Sequence, residues 1–173
     1  MRAIDAIRMA LQFGDRGMRA LEDVKADPLV QPGPWGGNHA MWIVGHLTVV
    51  EGRLHKILRG VPNPAEHWKP LFDWGSEPKT DKAAYPPFEE VLQTFRSLRE
   101  GTYALLDEVG DDGLDRPTKL PPPPGLGGAF ETIGSAILVI ACHQCFHMGE
   151  AAVARRASGK QPTFVPSPEL RAF

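Results

Sequence analysis

The 173 residues are 42% hydrophobic and 23% charged, enough apolar side chain for a single core over residues 1–173. Lys and Arg (19) nearly balance Asp and Glu (21), and a net charge of −2 without a long run of either sign excludes generic attraction to nucleic-acid phosphate or an anionic membrane. Gly (18) and Pro (17) make up about a fifth of the chain, above the ordinary ~12% but short of a disordered composition, so their positions matter.

All 17 Pro lie outside four windows, residues 1–27, 38–59, 88–109 and 129–158, and Pro is strongly excluded from helix interiors. In the first window Ile4, Ile7, Leu11, Met18 and Leu21 recur at steps of three and four, with Gly14 at the skipped position. Asp5 and Asp15 interrupt this stretch, so no signal peptide is expected. In the second window Ile43, Leu47, Val50, Leu54 and Ile57 form the stripe, with Asn38 as expected N-cap and Gly60 as the stop. Residues 60–87 form a long connector, in which Trp68, Leu71, Phe72 and Trp74 argue for packing. The third window carries Phe88, Val91, Phe95, Leu98, Thr102, Leu105 and Val109, started by Pro87 with Glu89 and Glu90 in the first turn. A second long connector, 110–128, includes the extended run Pro121 to Pro124. In the fourth window Ile133, Ala136, Ile140, His143, His147, Ala151 and Ala154 share a face, and Arg155, Arg156 and Gly159 close it. Of the tail, 159–173, the stretch from Gln161 to Phe173, with three prolines, is expected along the surface.

Four amphipathic helices predict an all-α four-helix bundle, with connectors long enough to cross it or cover a site. The longest apolar run, Ala136 to Cys142, is too short to span a bilayer, and two near-neighbour cysteines staple no large loop. A soluble cytoplasmic protein is expected.

The informative residues are polar ones on apolar stripes. His143 and His147, at i and i+4, project from one helix face, the spacing by which a helix offers two nitrogens to one metal. His46 borders the second stripe at mid-helix; Gly45 beside it and Gly149 near His147 would let the second and fourth helices approach closely. His39 lies at a helix start, where capping or solvent contact is expected. The alternative for His46, His143 and His147 is three separate buried histidines satisfied by hydrogen bonds; a trio at mid-depth favours a shared metal.

The segment Asn38-His39-Ala40-Met41-Trp42-Ile43-Val44-Gly45-His46-Leu47, followed about 100 residues later by His143-x-x-x-His147-x-Gly149, resembles the DinB/YfiT-like superfamily of metalloenzymes. Leu71-Phe72, Tyr85-Pro86 and Arg155-Arg156-x-x-Gly159 extend the resemblance over nearly the whole chain. It implies an up-down-down-up bundle, often homodimeric, in which His46, His143 and His147 hold a divalent metal, usually zinc or nickel. It also implies, through some members, transfer of a low-molecular-weight thiol such as bacillithiol, mycothiol or glutathione to a small electrophilic substrate. Glu150 departs from the Gln of many relatives. On the same helix face as the two histidines, it is a candidate to hold a ligand imidazole, to be a fourth ligand, or to act as a catalytic general base, against the plain alternative of a rim carboxylate paired with Arg.

Arg53, two turns from His46, is a candidate to bind a substrate carboxylate. Gln144 stands where H-E-x-x-H proteases carry their general base, so protease chemistry gets little support. Cys142 and Cys145 point away from the histidine face and read as small core-filling residues. Three neutral imidazoles would leave an open coordination position that lowers the pKa of a thiol or water. The leading expectation is thus a metal-dependent thiol transferase; the alternatives are a metal-dependent hydrolase and a non-catalytic bundle with structural or stress-related metal.

Overall fold

In the computed structural model, which describes residues 1–22, 24, 29–31, 33 and 36–161, four long helices and one short one follow in order: α1 (Ala3–Glu22), α2 (Ala40–Arg59), α3 (Lys69–Phe72), α4 (Phe88–Val109) and α5 (Ile133–Ala157). Among the described residues there is no strand, only isolated bridges at Gly33–Gly36 and Pro117–Thr132. Most of the first window beyond Glu22, and the tail from residue 162 on, lie outside the described residues.

The helix ends refine the expected windows. The cap of α2 is His39 and not Asn38: its Nδ1 accepts from the Trp42 amide at 3.1 Å while Nε2 donates to the Lys79 carbonyl at 2.8 Å. These two bonds bury His39 to 2% exposure, so it has the expected capping role without the solvent contact. Gly60, at φ 69°, closes α2 with its amide on the Lys56 carbonyl. The last helix begins four residues later than expected, because a reciprocal capping box between Thr132 and Ser135 sets its start. The single turn of α3 is too short to show a period, and Pro70 sits in its first turn.

Residue pairs give the helix directions. Tyr103 bonds Asp15 and Arg96 bonds Glu22, so α1 and α4 run antiparallel. Thr48 meets Val91 and His55 meets Leu98, so α2 and α4 run parallel. His46 meets His143 whereas Asn38 reaches Glu150, so α2 and α5 run antiparallel.

Two apolar cores fill the bundle. One gathers Met18, Leu21, Trp42, Ile43, Phe72, Val91, Phe95 and Ala151; the other gathers Ile4, Leu11, Val50, Leu54, Leu106, Ile137 and Ile140. Between them, each long helix contributes polar side chains: Asp15 from α1, His46, Glu51 and His55 from α2, Arg99, Thr102 and Tyr103 from α4, His143, Gln144 and His147 from α5. Glu51 and Arg99, 1% and 4% exposed, form a two-pronged ion pair with both bonds at 3.0 Å, and Thr102 donates to the same carboxylate at 2.6 Å. Charges this deep persist only when paired and hydrogen-bonded.

Three small-residue expectations are corrected. A Cβ on Gly45 would overlap the Phe72 ring, so this glycine admits α3, not α5; around Gly149 there is open space. The close approach lies instead between α1 and α5, where Gly14 faces Gln144 and Gly17 faces Met148. Cys142 is exposed and Cys145 half-buried, because the turn of α5 that carries His143 inward carries Cys142 outward. With Leu138, Phe146 and Val153 also exposed, α5 is apolar on its outer face too and lacks the amphipathic pattern expected of it. By length and mean hydropathy (1.4) this one helix could cross a membrane, yet its inner side packs on α1 and α2.

Candidate metal centre

Helices α2 and α5 bring His46, His143 and His147 together at mid-bundle, with one nitrogen from each inside a 4.8 Å span. The Nε2 atoms of His46 and His143 are 3.3 Å apart, and those of His143 and His147 are 3.1 Å apart. His46 and His147 are 1% and 5% exposed; the Trp42 indole stacks on His46 at 4.7 Å and 8°.

The hydrogen bonds behind the rings determine which nitrogens carry lone pairs. His46 Nδ1 lies 2.7 Å from the Phe72 carbonyl, which only accepts, so Nδ1 holds the proton and Nε2 the lone pair. His147 Nδ1 lies 2.8 Å from a carboxylate oxygen of Glu150 and donates to it, so in the neutral ring its Nε2 also holds a lone pair. Both lone pairs converge on His143, whose Nε2 has at most one proton to give. One proton cannot satisfy two acceptors there, whereas a cation satisfies all three. His143 Nδ1 is buried without a partner among the described residues. Two nitrogens bound at about 2.05 Å with tetrahedral angles lie about 3.3 Å apart, close to the observed separations.

The electrostatics favour the ligand form. Burial drives His46 down to about 4, against an ordinary 6.5, and burial with neighbouring His147 and His46 brings His143 to about 4. Both imidazoles are neutral at pH 7.

Glu150 is placed behind His147, not beside the Nε2 atoms. Its Oε2 accepts from His147 Nδ1 and, at 3.0 Å, from Asn38 Nδ2, so of its possible roles the geometry displays that of imidazole holder, with no Arg bonded to it among the described residues. Arg53 pairs with Asp73 at 2.5 Å and lies over the Trp74 ring, so its charge already has a carboxylate partner in the chain. Asp73 follows Phe72 directly, and α3 thereby positions both the carbonyl on His46 and the partner of Arg53. Gln144 faces α1, where it donates to Asp15 at 3.3 Å.

Sequence reasoning missed Asn38 as a support, the Phe72 carbonyl, and the buried Glu51 and Arg99. Phe72 contributes through its backbone, which no side-chain pattern records. Glu51 and Arg99 each lie four residues beyond a stripe member, Leu47 and Phe95, and that offset was their available signal.

A family model described as the DinB superfamily matches residues 14–151, a span that contains all three histidines and Glu150. No curated protein matches the chain.

Proposed function

The chain belongs to the DinB superfamily, whose members commonly bind metal, and from that premise we propose that it is a soluble, cytoplasmic metal-dependent enzyme that joins a low-molecular-weight thiol to a small electrophile. The observation that carries the reading is the convergence of two fixed Nε2 lone pairs on a third imidazole. A divalent ion, zinc or nickel, held there by His46, His143 and His147 supplies Lewis acidity that lowers the pKa of a thiol or water.

The chain's own groups do the rest. Phe72 and Glu150 fix the tautomers and ring planes of His46 and His147, so the donor nitrogens are aimed before any ligand arrives. Trp42 and the surrounding core keep water from the inner side of the trio. Among the described residues only three side chains form the cluster, and Glu150 is engaged elsewhere, which supports an open position over a closed structural site. In the transfer, the thiol S–H proton passes to water, a sulfur lone pair forms the bond to the electrophilic carbon, and that carbon's bond to halide or epoxide oxygen breaks with its electron pair, the halide leaving as an anion and the opened epoxide oxygen taking up a proton from water.

The test is consumption of small thiols with model alkyl halides or epoxides by metal-loaded protein. Metal-dependent loss of both reactants that vanishes in His147→Ala supports the reading. Turnover of esters or amides without thiol would make the protein a hydrolase, and no turnover of either kind would leave a non-catalytic metal bundle. A homodimer is part of the proposal, and light scattering tests it directly.

A further inference from the structure

Next to His143, on the side of the bundle covered by the two long connectors, is a cavity of about 110 Å³. Val50 and Leu54 of α2 and Val139 and Ile140 of α5 form its inner walls; Leu126 and the exposed Trp74, one from each connector, form the outer ones. The connector carrying Leu126 is tied down by backbone bonds from Leu120 to Ile57 and from Thr118 to Glu131, so the cavity is a built feature of the fold. Among the described residues, Arg53 and His143 are its only lining residues with ionisable groups, and Arg53 is neutralised by Asp73. His143 belongs at once to this wall and to the histidine trio, so a group in the cavity sits directly beside the metal position.

We infer that this cavity receives an uncharged, compact aliphatic or aryl group of the electrophilic substrate. The inference rests on the thiol-transfer reading above. Low-molecular-weight thiols such as glutathione are charged and hydrated, and placing one here would strip its charges of water with no partner to replace it. The apolar walls therefore select the other reactant. An enclosed apolar cavity near 150 Å³ holds benzene. This smaller cavity, open on one side, accommodates a ring or a branched chain of roughly four to six carbons, with the reactive atom projecting toward His143.

The experiment uses full-length protein stripped of metal with EDTA, with fluorobenzene as probe and fluorine NMR as readout. Metal content is measured separately on reloaded samples. Saturable fluorobenzene binding is expected, with glutathione failing to compete. Val139→Phe, which fills the cavity from α5, and Leu126→Phe, which fills it from the connector, should each weaken probe binding at least tenfold while retaining wild-type helical circular dichroism. Absence of saturable binding, competition by glutathione, or unchanged affinity in a correctly folded filling variant overturns the inference. Because the probe needs no metal, a chain that binds fluorobenzene but no zinc or nickel refutes the metal-enzyme reading and leaves the apolar pocket standing, whereas metal without probe binding does the reverse.

Discussion

Replacing Glu150 separates the roles open to that carboxylate. Its Oε2 is 2.8 Å from His147 Nδ1, and its side chain is about one-third exposed at 33%. One imidazole width further on, roughly 7 Å from the carboxylate, a divalent cation on the Nε2 side would feel its charge. At an effective dielectric of about 40–80, suited to a partly exposed group, that attraction is about 1–2 kcal/mol, or roughly 5- to 30-fold in affinity. Glu150→Gln isolates this charge, because the Gln carbonyl can still accept from both His147 and Asn38. Glu150→Ala also leaves the buried Nδ1–H without its acceptor and should bind metal more weakly still. Competition against a chromophoric zinc chelator ranks the three proteins, with the order wild type, Gln, Ala expected. Affinity within twofold of wild type in Glu150→Gln refutes the electrostatic argument, and loss of all metal binding in that variant would make Glu150 a direct ligand.

Two further outcomes concern buried polar side chains. Glu51→Gln removes the more deeply buried of the two carboxylates on Arg99, the other being Asp15 at 3.3 Å; both members of the Glu51–Arg99 pair are at least 96% buried, and breaking such a pair costs up to about 3–5 kcal/mol, so urea denaturation showing less than 1 kcal/mol would contradict the buried pair. His39 and His55 are buried and their folded pKa values lie below the ordinary 6.5, mainly through desolvation. As pH falls through 6.5 the unfolded chain therefore takes up protons first, so the stability these residues contribute is full above 6.5 and is lost as pH falls toward their folded values. For EDTA-treated protein the urea midpoint should be lower at pH 5.5 than at pH 7.5, and a midpoint that stays constant or rises contradicts the sign.

The scaffold was legible because proline exclusion and helical periodicity are local properties. Ile43, Leu47 and Val50 announce the buried face of α2 whatever it packs against, and His143 and His147 share a face by spacing alone. What lay beyond the sequence was between helices or in the backbone. Asn38 looks like a cap by residue type, yet the His39 ring takes that place and Asn38 reaches α5. The Glu51 and Arg99 pair depends on the parallel register of α2 and α4, which neither stripe encodes by itself. Residue type places Cys142 in a core, yet its position on the α5 turn carries it outward, where Leu138, Phe146 and Val153 make an apolar face that an amphipathic pattern does not predict.

In the proposed site, His46, His143 and His147 hold one divalent ion with a coordination position free of protein. X-ray absorption on protein loaded with one zinc or nickel per chain tests it, alongside metal analysis of His46→Ala, His143→Ala and His147→Ala. Three imidazole nitrogens near 2.0–2.1 Å are expected, with the remaining coordination filled by exchangeable small molecules, and stoichiometric metal is lost in every variant. A fourth protein side chain on the ion, or full metal retention in any of the three variants, contradicts it.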